Sequence, residues 1–332
     1  MRAHAGLVLL AAALAPAAVI AQVPDRPGTL IVTNKAPSTA TFIDIASGRT
    51  LATLPTGHGP HEIVLSKDGR TAVISDYGTG PQPGRTLTVL DVPTRQVART
   101  IDLGEYRRPH GLAWLPGDSL VAVTVEASRA VLLVHVARGA VVRTISTGQT
   151  GSHMVAVTAD GQTAWTGDIG SNTVTELDLL TGQSVRHVEV PVQPEAINVT
   201  PDGSEVWVGS NGTGRVSVLD TYTGAVTSAA EGFTWPYRIW FTPDAETVLL
   251  PDFTGDAVRF VARRSRRELG RLTFPQEGPQ GVVVSPDGRT AFVSLSREAR
   301  VVVIDVPTRT VIGHVPAGQT PDGVVFVRPV AR

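Results

Sequence analysis

The segment Pro60-His61-Glu62-Ile63-Val64-Leu65-Ser66-Lys67-Asp68-Gly69-Arg70-Thr71-Ala72-Val73-Ile74 decides how the chain is read. Two apolar runs flank the tight polar turn Lys67-Asp68-Gly69-Arg70, which spells a hairpin. The unit then recurs. Segments opening on Pro60-His61-Glu62, Pro109-His110-Gly111, Ser152-His153-Met154, Pro194-Glu195-Ala196, Pro236-Tyr237-Arg238, Pro279-Gln280-Gly281 and Pro321-Asp322-Gly323 follow one another at 49, 43, 42, 42, 43 and 42 residues. In most copies a third run ends in Asp, as in Val89-Leu90-Asp91 and Val303-Ile304-Asp305, and a turn such as Leu180-Thr181-Gly182-Gln183 leads to a fourth. A period near 42 residues, β-branched runs and no helical periodicity describe a four-stranded propeller blade.

The two ends complete each other. The first copy has only three strands, Leu30 to Thr33, Ala40 to Ile45 and Thr50 to Leu54, while the chain finishes on an extra first strand, Gly323-Val324-Val325-Phe326-Val327. The expected fold is therefore all-β: a seven-bladed propeller of four-stranded antiparallel blades, closed by the C-terminal strand completing the first blade. Such closure leaves no blade short of a strand and only short, protected sheet edges. Two copies depart from the pattern. The second carries the insertion Gly78 to Gly84, and the sixth has Ala262 for the usual Asp, then the basic turn Arg263-Arg264-Ser265-Arg266-Arg267, which reads as solvated.

Composition narrows the function. The 332 residues are 42% hydrophobic, enough for a large core, and 29 basic against 30 acidic residues leave a formal charge of −1, with no general pull toward nucleic acid or anionic lipid. The absence of cysteine excludes disulfides, thiolate zinc sites, cysteine nucleophiles and c-type haem attachment. Residues 1–21 have the form of a secretory signal: Arg2, an Ala-rich apolar run broken by Pro16, and Val19-Ile20-Ala21 before Gln22. The expectation is cleavage after Ala21, a lead over 22–28, one propeller domain over 29–332, no membrane span after cleavage, and a periplasmic or secreted location.

The Leu30-Ile31-Val32-Thr33-Asn34 strand, the Pro-x-Gly and Pro-His-x starts, the Pro-Asp-Gly turns and the Ile-Asp-x-x-Thr-Gly segments resemble the YVTN-type (YncE-like) propeller repeat over about Thr29 to Pro329. The resemblance implies the fold. It extends more distantly to haem-d1-binding propellers and to the copper-cluster propellers of nitrous oxide reductases, whose cofactors do not carry over on repeat similarity.

The start of each first strand and the end of the second share a rim. The residue after each repeat start gives one ring: His61, His110, His153, Glu195, Tyr237, Gln280 and Asp322. Eight residues beyond the Asp of each internal turn lies a second set, Asp76, Glu126, Asp168, Ser210, Asp252 and Leu295, with Asn34 in the first copy. Three consecutive blades thus pair His61 with Asp76, His110 with Glu126 and His153 with Asp168. This set could hold a divalent transition metal, with His58 as a further nitrogen. The same pairs could equally satisfy buried polar groups at strand ends. Tyr77, Tyr106, Phe233, Trp235, Tyr237 and Phe253, with Arg107, Arg108, Arg238 and Asp252 nearby, form a candidate platform for a flat or anionic ligand. Trp114, Trp165, Trp207 and Trp240 fall within apolar strands and are expected in the core.

No nucleophile elbow, zinc-protease helix or phosphate loop is present in the sequence. Two functions stay open: an exported scaffold binding a protein, peptide or small molecule through its rim and central channel, or an enzyme or redox protein using a metal or haem-like cofactor at the His–carboxylate cluster.

Overall fold

The computed structural model describes Val23 and residues 25–329; the signal-peptide reading lies outside them. Seven four-stranded antiparallel sheets follow one another around a ring. The closing strand Pro321–Val327 pairs with Thr29–Asn34, placing Val325 opposite Ile31 and Phe326 opposite Leu30, so the last strand completes the first blade as expected.

Position in the blade explains strand character. The inner three strands lie between neighbouring blades and are buried on both faces, as Thr290–Leu295 is throughout. The outermost strand meets solvent on one face and alternates, as Gln183–Glu189 does. Neighbouring blades share their cores: Val73 and Leu87 of the second pack with Val121, Val123 and Leu132 of the third. Trp165 and Trp207 are fully buried between blades, and truncating either to Ala would cost about 3–5 kcal/mol.

The basic turn of the sixth blade is solvated only in part: Arg264, Ser265 and Arg267 are exposed, while Arg263 and Arg266 turn back onto the fifth blade. Arg263 bonds Asp202 at 2.9 Å and Glu205 at 3.1 Å in the fifth blade, Arg266 bonds Glu205 at 2.5 Å, and the Arg266 guanidinium lies 4.8 Å over the Trp207 ring. These arginines fasten two blades together, and their anionic partner is within the chain.

Three local devices shape the channel mouth. Just after each repeat start the pairing register slips: Pro60 faces Asp76, but the ladder resumes only at Ile63 with Ile74. Such a bulge re-aims the side chain it carries. A hydroxyl on the second strand then takes up the bulge N–H. Gly111 N–H donates to Thr124 Oγ1 at 2.8 Å, and Gly281 N–H to Ser294 Oγ at 2.8 Å. These hydroxyls in turn donate to the next blade, Thr124 to the His153 carbonyl at 2.6 Å and Ser294 to that of Asp322 at 2.7 Å, while Thr33 donates to that of His61 at 2.8 Å.

The third device is a clamp at the end of the second strand. Asp76 accepts from Thr86 at 2.7 Å and Thr88 at 2.9 Å, and a Cβ on Gly57 would fall 2.3 Å from its carboxylate. In the first blade Asn34 bonds Thr39 at 3.0 Å and Thr41 at 2.9 Å and accepts from Gly318 N–H at 2.9 Å. The clamp holds the loop that enters the next first strand.

Candidate functional site: a plugged channel

Each first strand pairs only with the second strand of its blade, so its other edge faces the axis. The seven bulge residues meet at one mouth and close it. His61 and His110 lie 5.1 Å apart between ring centroids, and His110 and His153 only 3.7 Å apart at a 32° tilt. His153 continues to Glu195, Nε2 to Oε1 3.8 Å. Glu195 accepts from Trp235 Nε1–H at 3.0 Å and from Asn211. Tyr237 donates to Asp322 at 3.2 Å, and Lys35 bridges Asp322 at 3.1 Å and Gln280 at 3.4 Å.

Beneath this ring Arg238 of the sixth blade crosses the axis to Glu62 of the second and donates to the Tyr237 carbonyl at 2.6 Å. His110, Glu195, Tyr237, Arg238, Gln280 and Asp322 are all buried. The mouth is a polar plug.

Burial sets the electrostatics. Desolvation pushes the His61 imidazole down to about 4 against the pull of Asp322, and it pushes His110 well below the usual histidine range, reinforced by its two histidine neighbours. Burial and Asp322 hold Glu62 above the ordinary carboxylate range despite Arg238. For Asp322 the effect of burial is outweighed by Lys35 and Arg238, leaving it low. Burial, then the hydrogen bond to Glu126, drives Tyr77 up to about 12.

The predicted His–carboxylate pairs do not form as drawn. His61, His110 and His153 do come together, but Asp76 and Asp168 face into their own blades. Asp168 accepts from Ser152, Thr166, Thr173 and Thr175 at 2.6–3.1 Å, and Asp252 accepts from the N–H groups of Thr234, Trp235 and Gly255. These three are clamps. Glu126 reaches the mouth for a different reason: Pro116-Gly117-Asp118-Ser119 reverses the Asp-Gly order, so counting from Asp118 lands one residue late, and Val125 is the residue opposite Pro109. Glu126 instead accepts from Tyr77 OH at 2.6 Å and lies 3.7 Å from His153. The imidazoles pack ring against ring, His110 on His153 at a 32° tilt and His61 edge-on to His110, His61 Nδ1 bonds the Gly59 carbonyl at 3.0 Å, and His58 is exposed. Among the described residues no three His, Asp or Glu side chains are arranged to hold a metal ion.

The aromatic set also divides. Tyr77 packs on His61 at 4.5 Å with Arg108 4.9 Å over its ring, and Trp235 and Tyr237 both pack on Phe253. Tyr106 is elsewhere: its hydroxyl bonds Thr144 on an outermost strand at 2.9 Å. Phe233 is buried under Arg259, and Arg107 bonds its own loop.

Below the plug the axis opens into a cavity of about 610 Å³ that runs from Glu62 and Arg238 to Pro201 and Pro243 at the opposite rim. Val64, Trp114, Trp240 and Phe326 contribute to its lining. Trp114 and Trp240 are thus half-buried, packing against the blade cores as expected and also lining the channel. The sequence reading passed over Glu62. The signal was the position after each bulge residue, where Glu62 and Arg238 are the only charges among Gly111, Met154, Ala196, Gly281 and Gly323.

No family model matches the chain, and no curated protein matches it. Solved structures do. The chain is similar to a chain of Kuenenia stuttgartiensis hydrazine synthase, at 18% identity and TM-score 0.71 over 90% of this chain and 94% of that one. It is similar to a functionally unknown protein from Desulfotomaculum acetoxidans, at 14% and 0.75 over 91% and 100%. It is also similar to a Bacteroides fragilis protein named provisionally as a 6-phosphogluconolactonase, at 13% and 0.72 over 92% and 99%. At these identities the likeness is one of fold, and the fold is the seven-bladed β-propeller.

Proposed function

We propose that the chain is an exported binding protein of the YVTN-repeat type that takes a small ligand into its central channel from the rim opposite the histidines. The observation that carries this reading is the blind cavity of about 610 Å³, within the size range of small-molecule pockets, stopped at one end by the Arg238–Glu62 bridge. The plug of His61, His110, His153, Glu195, Tyr237, Gln280 and Asp322 serves as the wall that makes the channel one-ended. The metal or haem-like alternative has no such support, because the imidazoles pack on one another and two of their expected carboxylates are clamps.

A thermal-shift screen of small molecules tests this reading on the intact protein and on Ala113→Phe, which places a ring in the channel lining. Compounds that stabilise the wild type and lose their effect in Ala113→Phe, while keeping it in Tyr106→Phe on the outer flank, support a channel site. Stabilisation indifferent to Ala113→Phe would refute it.

A further inference from the structure

We infer that the channel selects small organic cations, an ammonium group on an aliphatic or aromatic body, with the nitrogen seated on Glu62; the inference rests on the channel reading above.

Three observations lead there. First, Glu62 lines the inner end of the cavity and uses only one carboxylate oxygen: Oε1 accepts from Arg238, while Oε2 accepts no hydrogen bond among the described residues. A carboxylate oxygen facing a cavity calls for a donor. Second, the charges around it do not balance. Glu62, Glu195 and Asp322 face Arg238 and Lys35, three acids against two bases, and burial disfavours the charged form of the nearby His61 and His110. One further cation completes the set. Third, the walls suit such a ligand. Trp114 and Trp240 put aromatic side chains into the lining, a residue type that attracts cations, Val64 and Phe326 offer carbon to the ligand's body, and the inner strand edges carry backbone carbonyls toward the axis for the remaining ammonium hydrogens.

An anion fits poorly, since Lys35 and the terminal nitrogens of Arg238 are already engaged, the unpartnered Arg238 Nε is buried out of reach of the cavity, and a second negative charge would meet Glu62. The site should therefore discriminate by charge among molecules of one size and shape.

Hexylamine, 1-hexanol and hexanoate at neutral pH provide the test, with binding read by titration calorimetry and by emission of the channel tryptophans. The expected order places hexylamine at least tenfold tighter than hexanol, with hexanoate weakest. Glu62→Gln should reduce hexylamine affinity at least tenfold and leave hexanol unchanged. Should Glu62→Gln fail to fold for loss of the Arg238 partner, Glu62→Asp retains the charge but draws it back from the axis, and hexylamine alone should weaken. Equal affinities for amine and alcohol, or amine binding unaltered by either substitution, would overturn the inference. Hexanol binding that is lost in Ala113→Phe would in that case leave the channel standing as a site without charge selection. Binding of all three probes that ignores Ala113→Phe would remove the channel reading itself.

Discussion

Replacing Asp76 by Asn should flatten the dependence of stability on pH, with its effect greatest above about pH 7. Asp76 is fully buried, and desolvation lifts its carboxyl to about 7 from 3.8, although the Thr86 and Thr88 hydroxyls pull the other way. Between these two values the native state binds a proton that the unfolded chain has released, so the contribution is complete in acid and is lost as pH rises through about 7. Integrated from pH 5 to pH 8, the loss is about 2–3 kcal/mol. His61, pushed down to about 4, works in the opposite direction: the unfolded chain binds its proton first, so stability from this group grows as pH rises from about 4 to 6.5. A raw stability curve mixes the two. The difference between Asp76→Asn and wild type isolates Asp76, and the first blade already accommodates Asn34 in the equivalent clamp, bonded to two threonines and a glycine N–H. Urea unfolding at pH 5 and pH 8 should show the variant gaining about 2–3 kcal/mol relative to wild type at the higher pH. An identical difference at both pH values would mean that the buried carboxyl is not protonated near neutrality.

Ending the chain before Pro321 removes the strand paired to Thr29–Asn34 and the buried Val324 and Val325; a soluble product melting at the wild-type temperature would show that the ring does not depend on this closure. Gly281→Ala places a Cβ 2.1 Å from the Asp322 carbonyl oxygen, a backbone atom with little room to yield, and thermal melting should register about 1–3 kcal/mol of destabilisation. The proposed export predicts an intact mass beginning at Gln22 for protein recovered from periplasm or medium, and a product retaining Met1 would refute cleavage.

The fold was legible because its signals are local and repeated. A hairpin turn every 42 or so residues and complementary fragments at the two ends leave one architecture. The ring of bulge residues was equally legible, since a fixed offset from each repeat start carries His61 to Asp322 around one mouth. What failed was the inference from rim to direction. Asp76 and His61 lie on the same rim, but the bulge turns His61 to the axis while Asp76 stays in its sheet, and no residue type announces a register slip. The swapped Gly117-Asp118 turn displaced Glu126 by one position for a related reason: an αL residue at Asp118 takes the place that glycine occupies in other copies. The channel side of Trp114 and Trp240 was not legible, because a strand end that both packs against a blade and lines a channel has the same apolar composition as one that only packs.

The hydroxyls of Thr33, Thr124 and Ser294 hold the neighbouring bulge residues by their backbone carbonyls, and the clamps hold the loops that lead into them. The backbone at the mouth is therefore held without help from the mouth side chains, which bond to one another across the axis. Such a frame keeps seven anchor points in place whatever they carry, so a substitution at one blade alters the contacts among side chains before it alters the mount.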